Sequence, residues 1–324
     1  MTTATRPTTT PLFYTYDLTV EAITPLHVGN GETLLRDHDF VIHGDELIVL
    51  DIDRVYGRLF DQYPEERWAG LAELDLQQVM TAADARDPRL LRYPRMRLAP
   101  GVEGEGFKEV RACIRTAGGE AYLPGSSLKG AIRTAFATNT TRGEDGMRWI
   151  SEKVEAVARA GGDPKRASQP IDRAIFGPNP QEDAMRALRP SDLYVRTDVD
   201  PVDTRRVDRH VQLVETRVTK RNGQSKANIM VEAFHAGTIL DGTLTVEANP
   251  WSHLEQQWKD MWIDYFADGH ALALGATSFL NGHAAALIDR EKRYHAGTAI
   301  ASEYVGLERK MESLGEGSAL AWVG

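Results

Sequence analysis

Hydrophobic patterning begins at Tyr14. Tyr14, Tyr16, Leu18, Val20 and Ala22 alternate with Thr15, Asp17, Thr19 and Glu21, the period of two that marks a half-buried strand. The strand stops at Thr24-Pro25, and a glycine-containing loop follows, Leu26-His27-Val28-Gly29-Asn30-Gly31. Phe40-Val41-Ile42 and Leu47-Ile48-Val49-Leu50 flank His43-Gly44-Asp45-Glu46, which predicts a hairpin with glycine in its turn. Residues 53–85 carry a helical pattern broken by Pro64. Residues 86–106 hold Pro88, Pro94, Pro100 and three glycines, which predicts a long irregular connection.

A helix is expected from Ser126 or Ser127, and a second over Met147–Ala160, followed by a loop at 161–166. Strand patterns return at Leu193–Arg196, His210–Val218, Asn228–Phe234 and Thr238–Val246. Asn222-Gly223 between the middle two signals a hairpin turn. Leu254, Trp258, Met261, Trp262 and Tyr265 recur at helical spacing within Trp251–Ala267. Strands and helices mix without βαβα alternation, which predicts an α+β fold with helices on one face of a mainly antiparallel sheet. No short-period repeat is visible. Residues 1–11, rich in Thr and Pro, read as a loose tail.

Composition narrows the function classes. Of 324 residues, 42% are hydrophobic and 26% charged, the balance of a globular chain. The single cysteine, Cys113, cannot form an intramolecular disulfide, which fits a reducing cytoplasm. No signal-peptide pattern and no continuous apolar run of membrane-spanning length is seen. A net charge of −9 argues against binding nucleic acid through overall charge, and leaves local clusters of Lys and Arg as the place to look.

Pro124-Gly125-Ser126-Ser127 has the composition of a turn whose serine caps a helix. Beyond it Leu128, Ala131, Ile132, Ala135 and Phe136 share one face, and Lys129 and Arg133, four apart, share another. Gly130 is expected to let another backbone approach. A helix N-terminus beside two cations suits a phosphate. On chemistry alone the same residues serve equally as a capped surface helix with solvated cations. The segment lacks the Gly-Lys-Ser/Thr spacing of a Walker A loop, so nucleotide hydrolysis is not supported.

Pro124–Thr134 resembles the glycine-rich motif of the RAMP superfamily of CRISPR-associated proteins. Ile23–Gly31 resembles the loop after the first strand of those proteins. Ile175-Phe176-Gly177, then Leu188-Arg189-Pro190-Ser191-Asp192-Leu193, resembles their "FG … RxSD" strand entry. Asp39–Ile42, Gly44–Asp51 and Val231–Thr238 are similar to the fifth subunit of type III-A Csm effector complexes. The resemblance implies a ferredoxin-like, RRM-like core with large insertions: an N-terminal part over about 12–140, a helical insertion over 141–190 and a C-terminal part over 191–324. It implies a non-catalytic subunit bound to the 3′ part of the guide crRNA, near target RNA and beside other Csm subunits. It would cap the subunit filament and support crRNA maturation, with a host nuclease trimming the 3′ end. No cofactor and no membrane are implied. The late "LGWGSG" loop of the family is degenerate here, at Leu274–Gly282.

Residues 204–226 hold Arg205, Arg206, Arg209, Arg217, Lys220, Arg221 and Lys226 against Asp208 and Glu215, a candidate guide-RNA track. A solvated hairpin is the other reading of such a run. Arg92, Arg95, Arg97, Lys108, Arg111 and Arg115 form a second set, read mainly as surface. His27 is a candidate RNA contact. RNA cleavage by a RAMP endoribonuclease, or by a repeated backbone subunit, would use His27 as base or Asp39 with a metal. No partner marks either by spacing, and neither the scattered histidines nor one cysteine make a zinc site.

Overall fold

The computed structural model describes residues 11–67, 70, 76, 80, 81, 83–103, 106–163, 166–196, 207–219 and 225–323. Strand β1 (Phe13–Glu21) leads to β2 (Gly29–Leu35) and the hairpin β3 (Phe40–His43) and β4 (Glu46–Val49). The hairpin turn is the expected one, with Gly44 at φ +65. Helix α1 (Ile52–Gln62) is capped by Asp51, whose side chain accepts from Arg54 N–H. It ends before Pro64, whose ring disfavours helical backbone at the residue before it. Then follow β5 (Arg95–Leu98), β6 (Glu109–Cys113), β7 (Tyr122–Leu123), α2 (Gly125–Thr140), α3 (Glu144–Arg159) and α4 (Gln169–Phe176). The chain continues through β8 (Leu188–Pro190), β9 (Leu193–Val195), β10 (Val207–Thr219), β11 (Ser225–Phe234), β12 (Ile239–Glu247), α5 (Gln256–Tyr265), α6 (Gly269–Tyr294) and α7 (Ile300–Glu312).

These elements form two compact units. The sheet unit comprises Thr19–Leu123 and Leu193–Asp241; the helical unit comprises Pro124–Asp192 and Gly242–Val323 with residues 11–18.

The sheet unit holds a seven-stranded sheet in the order β2-β6-β11-β10-β5-β4-β3. Among the described strands, four of the six neighbouring pairs in this sheet are antiparallel and two are parallel. The β10–β11 and β3–β4 hairpins are antiparallel, as a short turn demands, but β5 runs parallel to β10 and β6 parallel to β11. Long excursions of chain separate the parallel partners, so no tight turn dictates their sense. Val41, Ile48, Leu50, Val55, Leu59, Leu90 and Leu91 close a core between the β3–β4 hairpin and α1.

In the helical unit β12 pairs antiparallel with β8. The core is aromatic. Phe136 of α2 stacks on Phe279 of α6 with centroids 4.5 Å apart, and Trp251 stacks on Trp262 at 5.3 Å. Both buried indoles are satisfied, Trp251 by the Phe266 carbonyl (2.8 Å) and Trp262 by the Ile175 carbonyl (3.1 Å). The helix expected from Trp251 begins at Gln256. The segment expected as a degenerate loop, Leu274–Gly282, lies inside α6. Its glycines admit neighbours: a Cβ at Gly275 would meet the Phe266 ring at 2.0 Å, and one at Gly282 would meet Asn139 at 2.5 Å.

Helix α6 is 26 residues long with a stretch of mean hydropathy 1.4, enough by length and composition to cross a membrane. No uninterrupted apolar run announces it, because Gly, Ser, Thr, Asn and His punctuate the sequence. Buried Leu272, Ala276, Leu280, Ala284 and Ile288 recur at fours, and α2 and α7 pack against the helix. A core helix has this pattern.

Candidate nucleic-acid interface

Helix α2 begins at Gly125, not at Ser126 or Ser127, and its N-cap is Pro124, without a side-chain cap. The polar group that meets its first turn comes from far along the chain. Asp192 Oδ1 accepts the Gly125 N–H at 2.9 Å. Glycine is required there because a Cβ would sit 2.2 Å from the Pro190 carbonyl oxygen and 2.6 Å from that of Ser191. Gly130, expected to admit a backbone, has nothing within 4 Å of its Cβ position. The close approach therefore belongs to Gly125.

Lys129 and Arg133 share a face as their spacing requires, yet their environments differ. Arg133 donates to Asp183 at 2.7 Å, lies 3.6 Å from Asp172, and holds its guanidinium 3.8 Å above the Phe176 ring. Its charge is compensated within the helical unit. No ion pair holds Lys129 among the described residues. Burial lowers its pKa, the Arg189 and Arg133 charges push the same way, and Asp183 opposes them. Ser126 is exposed and Ser127 half-buried beside it. Gly177, at φ +125, follows Phe176 where a Cβ would clash with the Glu182 carbonyl at 2.0 Å. Gly125–Arg133, Ile175–Gly177 and Leu188–Asp192 thus meet in one place in this unit.

The second candidate track is only partly described. Arg205, Arg206, Lys220 and Arg221 lie outside the described residues. Lys226 and Arg217 fall on strands β11 and β10, and Arg209 is exposed on β10. The hairpin itself is present, with pairing from Val211↔Phe234 to Thr219↔Ser225.

Asp39 Oδ2 accepts the Leu35 N–H at 2.8 Å, closing the turn between β2 and β3. His27 is half-buried, its Nδ1 2.7 Å from the Glu232 carbonyl oxygen. A carbonyl only accepts, so Nδ1 carries the proton and Nε2 is the basic nitrogen of the neutral ring. Among the described residues no three His, Cys, Asp or Glu side chains are grouped to hold a metal ion.

The RAMP superfamily model matches residues 19–269 of this chain. The chain belongs to the RAMP superfamily. It is 27% identical over 199 residues to the "CRISPR system Cms protein Csm5" of Streptococcus thermophilus, covering 56% of this chain and 52% of that protein. The chain thus matches about half the length of this curated relative. The crystal structure of T. onnurineus Csm5 superposes with a TM-score of 0.61 at 18% identity, covering 92% of this chain and 87% of that one. A chain of a Csm-crRNA-target RNA ternary complex from a type III-A CRISPR-Cas system gives 0.57 at 21% identity, covering 90% and 81%. At these identities the two structures speak for a shared fold.

This RAMP protein also contains a buried polar cluster that sequence reasoning missed. Glu232 on β11 is 0% exposed. Tyr93 donates its hydroxyl to one carboxylate oxygen; the other accepts from Cys113 N–H at 2.9 Å and from Arg115 Nε and Nη2 at 3.3 Å. Arg115 lies 4.0 Å over the Tyr93 ring and 3.7 Å from Asp208. Burial opposes its charge, but Glu232, Tyr93 and Asp208 outweigh that and raise its pKa. Arg115 is therefore a core ion, not part of a surface set. The available signal was a lone Glu in an otherwise apolar stretch, Ile229–Phe234.

Burial, then the Glu232 charge, pushes the Cys113 thiol up to about 12 from 9.0. The folded-state pKa is raised, so this stability is complete below about pH 9 and is lost as pH rises toward about 12. Unfolding midpoints in denaturant should fall across that window, and less steeply in Cys113→Ala. Equal slopes in the two proteins would contradict the assignment.

Proposed function

We propose that this protein is a non-catalytic RNA-binding subunit of a type III-A CRISPR (Csm) complex in the cytoplasm. It contacts the 3′ part of the guide crRNA, caps the row of repeated subunits, and supports crRNA maturation by positioning a host nuclease. Target RNA and neighbouring Csm subunits are its other partners, and its core derives from an RRM-like, ferredoxin-like arrangement. The observation that carries this reading is the family match over residues 19–269. The likeness to Csm5 proteins supports the choice of subunit.

Contacts to phosphate and 2′-hydroxyl groups suit a guide whose sequence must vary. Gly125, Ser126, Ser127 and Lys129 form one contact, with Arg133 holding α2 against Asp183 and Phe176. Arg205, Arg209, Lys220, Arg221 and Lys226 supply a second, and His27 a third. Asp192 on the Gly125 N–H places a carboxylate at the helix end, so Lys129, rather than the first backbone N–H, is the main electrostatic grip there.

Lys129→Ala should weaken RNA binding evenly across sequences and reduce the slope of log affinity against log salt by about 1. An unchanged slope removes α2 from the interface. The purified chain should not cleave labelled RNA with or without divalent metal. Cleavage abolished by His27→Ala or Asp39→Ala would replace the binding reading with a RAMP endoribonuclease. Co-purification with a short RNA and sister subunits, one copy per complex by native mass measurement, tests the position at the end of the row.

A further inference from the structure

Tyr122 on β7 and Tyr194 on β9 stand directly opposite each other in an antiparallel pair. Their rings stack with centroids 5.7 Å apart and 25° between planes. Tyr194 is 46% exposed, and Tyr122 is half-buried beside it. Burial therefore does not account for two aromatic rings at this place. Among the described residues neither hydroxyl has a hydrogen-bond partner.

The surface next to the rings is polar. Across from Tyr194 on β12 stands Asp241. Arg196 grips that carboxylate through Nε at 2.5 Å and Nη2 at 2.7 Å, and Thr19 Oγ1 donates to it at 2.7 Å. In a chain of net charge −9, the carboxylate across from Tyr194 is already neutralised by the Arg196 guanidinium. Tyrosine is enriched at protein interfaces as well, so capture of sister subunits is measured beside RNA binding below. Here two π-faces are bordered by hydrogen-bonding groups, the mixture an unpaired base with its ribose requires.

We propose that Tyr122 and Tyr194 form a stacking platform for one unpaired nucleobase of single-stranded RNA, with the tyrosine hydroxyls and the Arg196–Asp241–Thr19 cluster meeting the base edge or ribose. The proposal rests on the RNA-binding reading above and adds a contact to the base rather than to the phosphate. Every base has a π-face, so such a platform is sequence-tolerant.

Full-length protein is titrated with a single-stranded oligoribonucleotide carrying 2-aminopurine at successive positions. Wild type should quench the fluorophore at one register. Tyr194→Ala and Tyr122→Ala should each lose that quenching and weaken binding about tenfold with an unchanged salt slope, because stacking releases no counterions. Tyr194→Phe should retain both, since it keeps the ring. Thermal unfolding of the exposed-site variant Tyr194→Ala should remain cooperative, with a midpoint only slightly below wild type and above the titration temperature, which separates lost stacking from lost folding. Quenching and affinity unaffected by either alanine overturn the platform while leaving the RNA-binding reading intact. No RNA binding by wild type overturns both. Normal RNA binding with lost capture of sister subunits makes this face a protein interface and also overturns the platform.

Discussion

Glu232→Ala is expected to lower stability by about 3–5 kcal/mol, the cost of breaking a buried ion pair by removing one partner. The size follows from what is left behind. Arg115 has a side chain only 7% exposed. Without Glu232 its nearest carboxylate is Asp208 at 3.7 Å, too long for a direct hydrogen bond. The Cys113 N–H and the Tyr93 hydroxyl lose their acceptor at the same time. Each unsatisfied buried donor adds about 1–3 kcal/mol, though members of one network do not sum. Small domains are stable by about 5–15 kcal/mol in total, so the alanine variant should accumulate poorly.

Glu232→Gln keeps the shape and an acceptor oxygen, and should cost less than the alanine. Tyr93→Phe, which removes one donor, should cost about 1 kcal/mol. Denaturant unfolding of the three variants checks the ranking. A loss below about 1 kcal/mol for Glu232→Ala would mean that Arg115 reaches water or another acceptor when released.

Gly125→Ala and Gly130→Ala should have opposite signs although they lie five residues apart on one helix. Alanine favours a helix interior over glycine by about 1 kcal/mol. At Gly130 nothing opposes that gain, since no atom lies within 4 Å of the new methyl, and the variant should be more stable by about 0.5–1 kcal/mol. At Gly125 the methyl would meet two carbonyl oxygens at 2.2 and 2.6 Å. These are backbone atoms of β8 and the residue after it, so no side-chain rotation relieves the overlap. Moving α2 away also stretches the hydrogen bond from Gly125 to Asp192, 2.9 Å in the native protein. Overpacking of this kind costs about 1–3 kcal/mol and sometimes more, which outweighs the propensity gain at a helix end. Thermal unfolding of both variants decides the matter. Two stabilised proteins would show that the approach of α2 to Pro190 is looser than described.

Much of the architecture is written locally. The alternation from Tyr14 to Ala22, the glycine turn at Gly44 and the halt of α1 before Pro64 each depend on a few adjacent residues. The strands expected on either side of Asn222-Gly223 do pair, as β10 and β11, while the turn residues themselves lie outside the described residues. Local rules could not give the sense of β5 against β10 or of β6 against β11, because those partners meet across long excursions of chain. Mean composition also concealed α6, whose packing face is spaced at fours through a stretch interrupted by polar residues.

The candidate interface was legible as a set of residues and not as a set of roles. Spacing put Lys129 and Arg133 on one face of α2, and the family motifs marked Gly125, Phe176, Gly177 and Asp192. Only the tertiary structure showed that these distant pieces grip one another, because the hydrogen bond from Gly125 to Asp192 and the ion pair from Arg133 to Asp183 are long-range. That arrangement made Gly125 the obligatory glycine, left Gly130 in open space, and paired Arg133 with Asp183, while among the described residues no ion pair holds Lys129. The sequence by itself determined the strand periods, the family and the candidate cations. Which charges face solvent and which, like Glu232 and Arg115, are sealed in the core was decided by three-dimensional packing, because burial and pairing depend on neighbours that chain order does not reveal.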